Sequence, residues 1–159
     1  MDKTLKEIGA FKKKIHTALF QSEDILDCLI GNTATLSQAE KALKFKEHVS
    51  SHLFVEETIT ETSAYIFYDV FCPSLSTNVK DVRVLMYVVS HRKCLDDYHR
   101  DGFEGNRADV LAEMVEDALV NSETAKQFGI GDVTLSEIRV YNSVKLYGKI
   151  LYFDVPSFR

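Results

Sequence analysis

The order of hydrophobic patterns in the last two thirds of the chain constrains the fold most. Two stretches rich in β-branched and aromatic residues, 64–72 and 81–90, predict long strands. A helical pattern with one apolar face follows at 107–121, and two further strand patterns, 133–144 and 149–155, close the chain. The order β-β-α-β-β predicts an α+β fold: a four-stranded, mainly antiparallel sheet packed by one helix.

The first fifty residues are predicted to form about three helices that precede the sheet. In the first helix, 3–20, four apolar residues share one face: Leu5, Ile8, Ile15 and Leu19. Ser22 is placed to cap the second helix, and Ser37 with Glu40 has the spacing of a capping box for the third, which reaches about residue 48. The residues expected to face inward from the third helix are Ala39, Ala42 and Leu43.

Two strand ends and one turn are also predicted from local signals. Pro73 is expected to stop the first long strand, with 73–78 as the hairpin connection to the second. Tyr147 and Gly148 are expected to turn the chain into the last strand. In the strand before that turn, Ile138 and Val140 alternate with polar residues, which is typical of a half-buried strand.

Length and composition indicate one domain, a helical part at 1–50 and an α+β core at 54–159. The chain has 159 residues, of which 45% are hydrophobic, enough for one globular core. A net charge of −5 argues against broad binding of nucleic acid phosphates. The three cysteines form no CxxC pair, and neither a secretory signal nor a membrane-spanning run is found. We therefore expect a soluble protein made in a reducing compartment, without membrane contact.

No pattern in the sequence predicts catalysis, a metal site or a cofactor. The segment 91–101 concentrates polar residues, but it holds one thiol and two histidines at spacings that do not suit zinc. The glycine pairs at 102–105 and 129–131 match no phosphate-binding motif. We predict that the protein is not an enzyme and binds no cofactor. A metal-dependent hydrolase using His91, His99 and nearby aspartates is the weakest alternative.

The sheet is predicted to be aromatic on both faces, although a single helix covers only one of them. Tyr65 and Phe67 point to one face, and Ile66 and Tyr68 point to the other. The face without the helix is either an interface or is covered by the N-terminal helices, and both interpretations stay open.

Ten residues are candidates for contacts between subunits. Asp69 and Asp154 interrupt apolar strands, the segment 91–106 is rich in charge, and the terminal strand is aromatic. That terminal strand is expected to extend the sheet of a neighbour by main-chain pairing. The candidates are Asp69, His91, Arg92, Asp97, His99, Arg100, Tyr152, Phe153, Asp154 and Phe158.

The order of elements resembles that of tail terminator and neck (head-tail joining) proteins of tailed bacteriophages. The resemblance covers 54–159, with strands at 65–72 and 82–90, a helix at 107–121 and a terminal strand pair at 134–155. The run NRADVLAE at 106–113, followed by FGIG at 128–131, is also similar to small structural proteins encoded among phage morphogenesis genes.

The resemblance implies a structural virion protein that forms a homo-oligomer, typically a hexameric ring, at the head-proximal end of the tail. It implies that the ring joins the tail tube protein to the head connector or stopper, and that DNA passes through its lumen without specific binding. Such a protein is made in the bacterial host cytoplasm and located in the virion. The alternative from a different class is a non-catalytic α+β module that binds another protein through its uncovered sheet face.

Overall fold

The computed structural model describes residues 4–54, 56–75, 80–120 and 132–158. Within these residues the α+β fold class is confirmed, with three N-terminal helices, one later helix and one sheet. The helices are α1 Thr4–Phe20, α2 Glu23–Ile30, α3 Gln38–His48 and α4 Arg107–Leu119. The strands are β1 Val49–Ser50, β2 Ala64–Leu75, β3 Lys80–His91, β4 Thr134–Asn142 and β5 Leu146–Phe158.

The five strands form one sheet in the order β1-β2-β3-β5-β4. The four predicted strands are present and pair antiparallel, while the two-residue β1 pairs parallel with β2 at Ile66 and Phe67. A strand that short has no periodicity from which a sequence pattern could identify it. The expectation that the terminal strand extends the sheet of a neighbour is wrong over Tyr147–Asp154, because β5 lies between β3 and β4 and pairs with both there.

Side-chain caps begin three of the helices, two of them at Ser22 and Ser37 as predicted. The Ser22 hydroxyl accepts from the Ile25 backbone N–H at the start of α2. Ser37 and Glu40 form both hydrogen bonds of a capping box at α3. Asn106 forms a second capping box at α4, with Asp109 three residues later. These caps satisfy backbone donors that a helix start leaves without partners.

All four helices pack on the same face of the sheet and share one hydrophobic core. That core joins Phe11 and Ile15 of α1 and Phe45 of α3 to Ile66 and Tyr68 of β2. The core also takes in α2 and seven residues of α4: Val110, Leu111, Ala112, Met114, Val115, Ala118 and Leu119. The interpretation that the N-terminal helices cover the opposite face is therefore wrong.

The helices bury different residues from those expected at two places. Leu5 is 82% exposed and Leu43 is 67% exposed, and Ala39 and Ala42 are not buried either. The residues that α3 buries are Phe45 and His48, both in its second half. This second half leads directly into β1, whereas residues 38–40 at the start of α3 are exposed.

The boundaries of two strands also differ from the predictions. Pro73 lies inside β2, at a shift of the pairing register between Phe71 and Ser74. A bulge of this kind accommodates proline, which has no N–H to donate to the ladder. Gly148 lies inside β5, and the turn before β5 is closed by the Ser143 N–H, which donates to the Leu146 carbonyl at 2.9 Å.

Candidate functional site

One half of the sheet face opposite the helices is covered by the segment between β1 and β2. Phe54 of this segment stacks on Phe67 with ring centroids 4.7 Å apart and meets the edges of Tyr87 and Tyr141. Ile59 joins the same cluster, in which five residues are buried: Ile59, Tyr65, Phe67, Val89 and Leu146. Aromatic side chains that the sequence placed on this face are therefore partly internal.

The other half of this face remains exposed, and we call it the open face. Its central row crosses four strands, because Leu85 pairs with both Asp69 and Tyr152, and Tyr152 pairs with Glu137. Leu85 and Tyr152 are half-buried, so apolar surface lies at the centre of the row. The open face comprises Asp69, Phe71, Arg83, Leu85, Glu137, Arg139, Ile150, Tyr152 and Asp154.

Charges of both signs surround the apolar centre of the open face. Arg83 donates to Asp154 at 2.8 Å, with the two side chains 38% and 36% exposed. The Arg139 guanidinium lies 5.6 Å from the centre of the Tyr152 ring and donates to Glu137. That hydrogen bond to Glu137 raises the pKa of Arg139. A half-apolar surface with paired charges at its rim has the composition of a protein interface.

The β2 edge of the sheet is protected within the chain. Lys12 of α1 reaches this edge, where its Nζ lies 2.6 Å from Asp69 Oδ1 and donates to the Ser51 carbonyl at 3.0 Å. Asp69 in turn accepts from the backbone N–H of Val70 at 2.8 Å. Asp69, predicted as a subunit contact, thus pairs with the Val70 N–H, which lies beyond the two residues of β2 that β1 covers. Lys12 blocks the same edge, as lysine often does at the edges of sheets.

The β4 edge of the sheet differs from the β2 edge, because its apolar residues face solvent. Ile138 is 58% exposed and Val140 is 62% exposed. They lie on the same side of the sheet as the helices, beside Leu151 and Lys149 of β5. The sequence pattern predicts a half-buried strand here, but α4 contacts β3 and β5 and leaves this part of the outer strand uncovered.

The charged loop 91–106 is engaged in contacts within the chain. Arg100 donates to Asp24 at 2.6 Å and lies 3.3 Å from Asp27, both in α2. The Tyr98 hydroxyl donates to Asp27 at 2.6 Å. The pKa of Tyr98 is raised by its removal from solvent and then by this hydrogen bond. Arg100, a predicted subunit contact, therefore holds the loop against α2.

Arg107, at the start of α4, organises the same region, and sequence reasoning missed it. Its guanidinium donates to the carbonyls of Cys94 at 3.0 Å and Cys28 at 2.8 Å, and to Asp97 at 3.0 Å. Its Cζ lies 4.7 Å from the centre of the Tyr98 ring. Burial raises the pKa of the neighbouring Cys28 thiol to about 12. Nothing in the local sequence distinguishes Arg107 from an exposed arginine, since its partners are distant along the chain.

The remaining loop candidates make separate local contacts. Arg92 donates to the Ser143 carbonyl at 2.8 Å and lies over the Tyr147 ring, which ties the loop to the β4–β5 turn. His91 Nδ1 accepts from the Lys93 N–H at 3.2 Å. His99, 80% exposed, lies 3.3 Å from Asp101. Within the described part of the chain, no group of three or more His, Cys, Asp or Glu residues could hold a metal ion.

The structure brings three of the ten candidate residues together on the open face, namely Asp69, Tyr152 and Asp154. Phe153 points to the opposite side and is fully buried in the core, so it offers no surface to a partner. The backbone of Phe158 pairs with Lys80, and its side chain lies outside the described residues. The similarity noted for FGIG at 128–131 falls outside the described residues as well.

Comparisons with known proteins identify a family but no individual relative. Among the described residues, no helix combines the length and the apolar character needed to cross a bilayer. Neither the curated proteins nor the solved structures contain a match to the chain. A family model matches residues 22–155, from the cap of α2 to the last core residue of β5. This match spans most of the sequence, and the chain therefore belongs to the YomW family, a phage-derived, Bacillus SPbeta-like protein family.

Proposed function

We propose that this protein is a non-catalytic structural component of a tailed phage virion. In this proposal it forms a hexameric ring at the head-proximal end of the tail, as a tail terminator or neck protein. The ring joins the tail tube protein to the head connector or stopper. Membership of a phage-derived family supports the phage association. The observation that carries the assembly role is the open face, where Leu85 and Tyr152 lie among paired charges.

The open face suits a contact that is repeated around a ring. Its apolar centre is small, and its rim carries Arg83 with Asp154 and Arg139 with Glu137. Apolar centres give an interface most of its binding free energy, and rim charges fix orientation. The acidic chain, with a net charge of −5, also supports the proposed lumen, because DNA that passes through must not be retained.

The proposal is tested by the oligomeric state and by location. Light scattering after size-exclusion chromatography, with negative-stain imaging, is expected to show six-subunit rings. Leu85→Glu is expected to abolish them, because it places a charge at the centre of the open face. Leu43→Glu is the matched control, since Leu43 is 67% exposed on α3. Rings that persist in Leu85→Glu contradict the open face as the contact.

The virion location needs its own measurement. Mass spectrometry of purified virions from a phage that encodes this chain is expected to find the protein, and antibody labelling is expected at the junction of head and tail. If the protein is absent from the virions, the structural role is wrong.

A second candidate is a monomeric module that binds another protein. It is favoured by a groove of about 490 Å³ between the covering segment and the sheet, lined by Leu53, Phe54, Ile59, Tyr65 and Phe67 among others. An apolar groove beside an aromatic sheet could hold a single apolar anchor from a partner. A clean monomer that is missing from virions would favour this candidate over the ring.

A further inference from the structure

The two edges of the sheet differ in how far the rest of the chain covers them. β2 is shielded by β1, and then by Lys12 and Asp69. On β4, Ile138 and Val140 remain 58% and 62% exposed, and no described strand pairs with its outer side. An edge strand with exposed apolar side chains and unpaired backbone groups favours pairing with another strand. Because the β2 edge is covered and the β4 edge is exposed, β4 is the edge at which we expect a partner strand to pair.

The charges of β4 are arranged so that the strand complements itself. Glu137 and Arg139 flank Ile138, one on each side, and both point to the sheet face opposite the helices. Their side chains are 41% and 62% exposed, and at present they pair with one another. Consider two antiparallel copies of β4 related by a two-fold axis that passes between their two Ile138 residues. Each Glu137 then lies opposite the Arg139 of the other copy.

We infer that β4 pairs antiparallel with β4 of a second copy of this chain, so that two five-stranded sheets join into one of ten strands. A two-fold axis normal to the sheet keeps each face of one copy continuous with the same face of the other. On the helix side Ile138 then meets its own counterpart. On the opposite side two Glu–Arg pairs form, where opposite charges directly across a strand pair stabilise it.

The register of β4 with β5 is compatible with this arrangement. From Glu137 to Asn142 the pairing with β5 is regular, and the only shift lies between Leu135 and Glu137. The central pairs therefore fall on regular strand. The bulge at Ser136, whose hydroxyl donates to the Tyr152 carbonyl at 3.1 Å, lies outside these central pairs.

This dimer does not depend on the proposed ring. The ring contact is placed around Leu85 and Tyr152, whereas the dimer uses the outer edge of β4. Glu137 and Arg139 belong to both surfaces, whereas Leu85 belongs only to the open face and Ile138 only to the β4 edge. Leu85→Glu is therefore expected to leave the dimer intact and Ile138→Lys to leave the ring intact. Loss of the dimer in Ile138→Lys and loss of the ring in Leu85→Glu are thus separate results.

The charge arrangement supplies the first test, by sedimentation velocity of the full chain over a range of concentrations. Arg139→Glu is expected to weaken dimerisation at least tenfold, because each Glu137 then faces a glutamate. Glu137→Arg is expected to weaken it similarly. The double variant, with both substitutions, restores two opposite-charge pairs and is expected to return the dissociation constant to within about threefold of the original.

Recovery of dimer affinity in the double variant is the decisive result. Two substitutions that each weaken the dimer can restore it together only if the two residues lie opposite one another. A chain that stays monomeric at every concentration overturns the inference, as does a dimer whose affinity none of the three variants changes. A double variant as weak as either single variant overturns the antiparallel register about Ile138. Circular dichroism melting of each variant verifies that the fold is retained.

A second pair of variants tests the apolar contact independently. Ile138→Lys places two lysines against one another at the axis and is expected to abolish the dimer. Val144→Lys is the matched control, because Val144 is 97% exposed but lies beyond the end of β4. Hydrogen exchange adds a direct readout: β4 amides are expected to gain protection as the protein concentration rises. Equal exchange at low and high concentration contradicts strand pairing.

Discussion

At the scale of single residues, Arg107 shows how one side chain holds three elements together. It lies at the first position of α4, yet it donates to the carbonyl of Cys28 near the end of α2. The last carbonyls of a helix have no partner within the helix, and a cation there also favours the helix dipole. Arg107 thus supplies a donor to a carbonyl near the end of α2 and a second donor to the Cys94 carbonyl of the loop. These hydrogen bonds fix the start of α4 against both.

Removing the Arg107 guanidinium is expected to destabilise the fold substantially. Its side chain is only 16% exposed, so Arg107→Met leaves the Cys28 and Cys94 carbonyls without their donor. We expect a loss of roughly 2 to 3 kcal/mol in the free energy of unfolding. Arg83→Met is the control, because Arg83 is half-exposed and its pair contributes at most about 1 kcal/mol. Denaturant titration measures both, and equal losses contradict the anchoring role.

His16 is expected to make stability depend on pH. Burial, and then the charge of Lys46, lowers the pKa of His16 from its ordinary 6.5. The ring also lies edge-on to Phe45, with centroids 5.0 Å apart. The unfolded chain therefore binds a proton at His16 at a higher pH than the folded protein does. Stability is full above about pH 6.5 and falls as the pH drops from there through the lowered folded value.

The measurement is the free energy of unfolding between pH 7.5 and pH 5. His16→Gln removes the titrating group and is expected to flatten this dependence. His99→Gln, at a side chain that is 80% exposed, is the control. If His16→Gln and the original protein lose stability in parallel, His16 does not cause the loss.

At the scale of elements, Gly148 allows β5 to lie close to β3. A Cβ on Gly148 would run into the Val88 carbonyl oxygen and lie 2.7 Å from the Cα of Val89. These are backbone atoms of β3, and they cannot move without breaking the strand pairing. The sequence pattern predicts a turn at Gly148, but the residue lies within β5 and is needed for close approach between strands.

Two alanine substitutions distinguish the effect of close strand approach on stability from the effect of the conformational freedom of glycine. Gly148→Ala is expected to lower the free energy of unfolding by about 3 kcal/mol or more, because the sheet must shift to accept the methyl group. Gly9→Ala, within α1 with no atom inside 4 Å of the added carbon, is expected to raise it by about 0.5 to 1 kcal/mol. Thermal unfolding followed by circular dichroism gives both values. A harmless Gly148→Ala contradicts the close strand spacing.

At the scale of the whole molecule, the N-terminal helices and the sheet share one core. Phe11, Ile15 and Leu19 of α1 are at most 2% exposed, and the Tyr68 hydroxyl donates to the Lys12 carbonyl at 2.9 Å. Burying a large apolar side chain contributes roughly 1.5 to 3 kcal/mol. A chain without α1 would lose several such contributions and expose the sheet beneath.

Deletion of residues 1–20 is therefore expected to abolish cooperative folding. The truncated chain is expected to melt without a sharp transition and to bind a hydrophobic dye. A matched chain that keeps α1 but carries Leu5→Lys, at a residue 82% exposed, is expected to melt as the original does. A cooperative transition in the truncated chain would mean that α1 is an appendage outside the core.

Local patterns along the chain are enough to predict the secondary structure of this protein. Periodicity placed all four helices and the four long strands, and the spacing of Ser37 with Glu40 identified a helix start, because these signals involve residues close along the chain. Three features follow only from the folded chain: which sheet face the helices cover, that β5 lies inside the sheet, and that the Arg107 side chain is only 16% exposed. Those outcomes depend on contacts between residues far apart in the chain, which local patterns do not encode. For the same reason the sequence pattern does not reveal that Phe153 is fully buried in the core. Nor does it reveal that Ile138, on the outer strand β4, is 58% exposed.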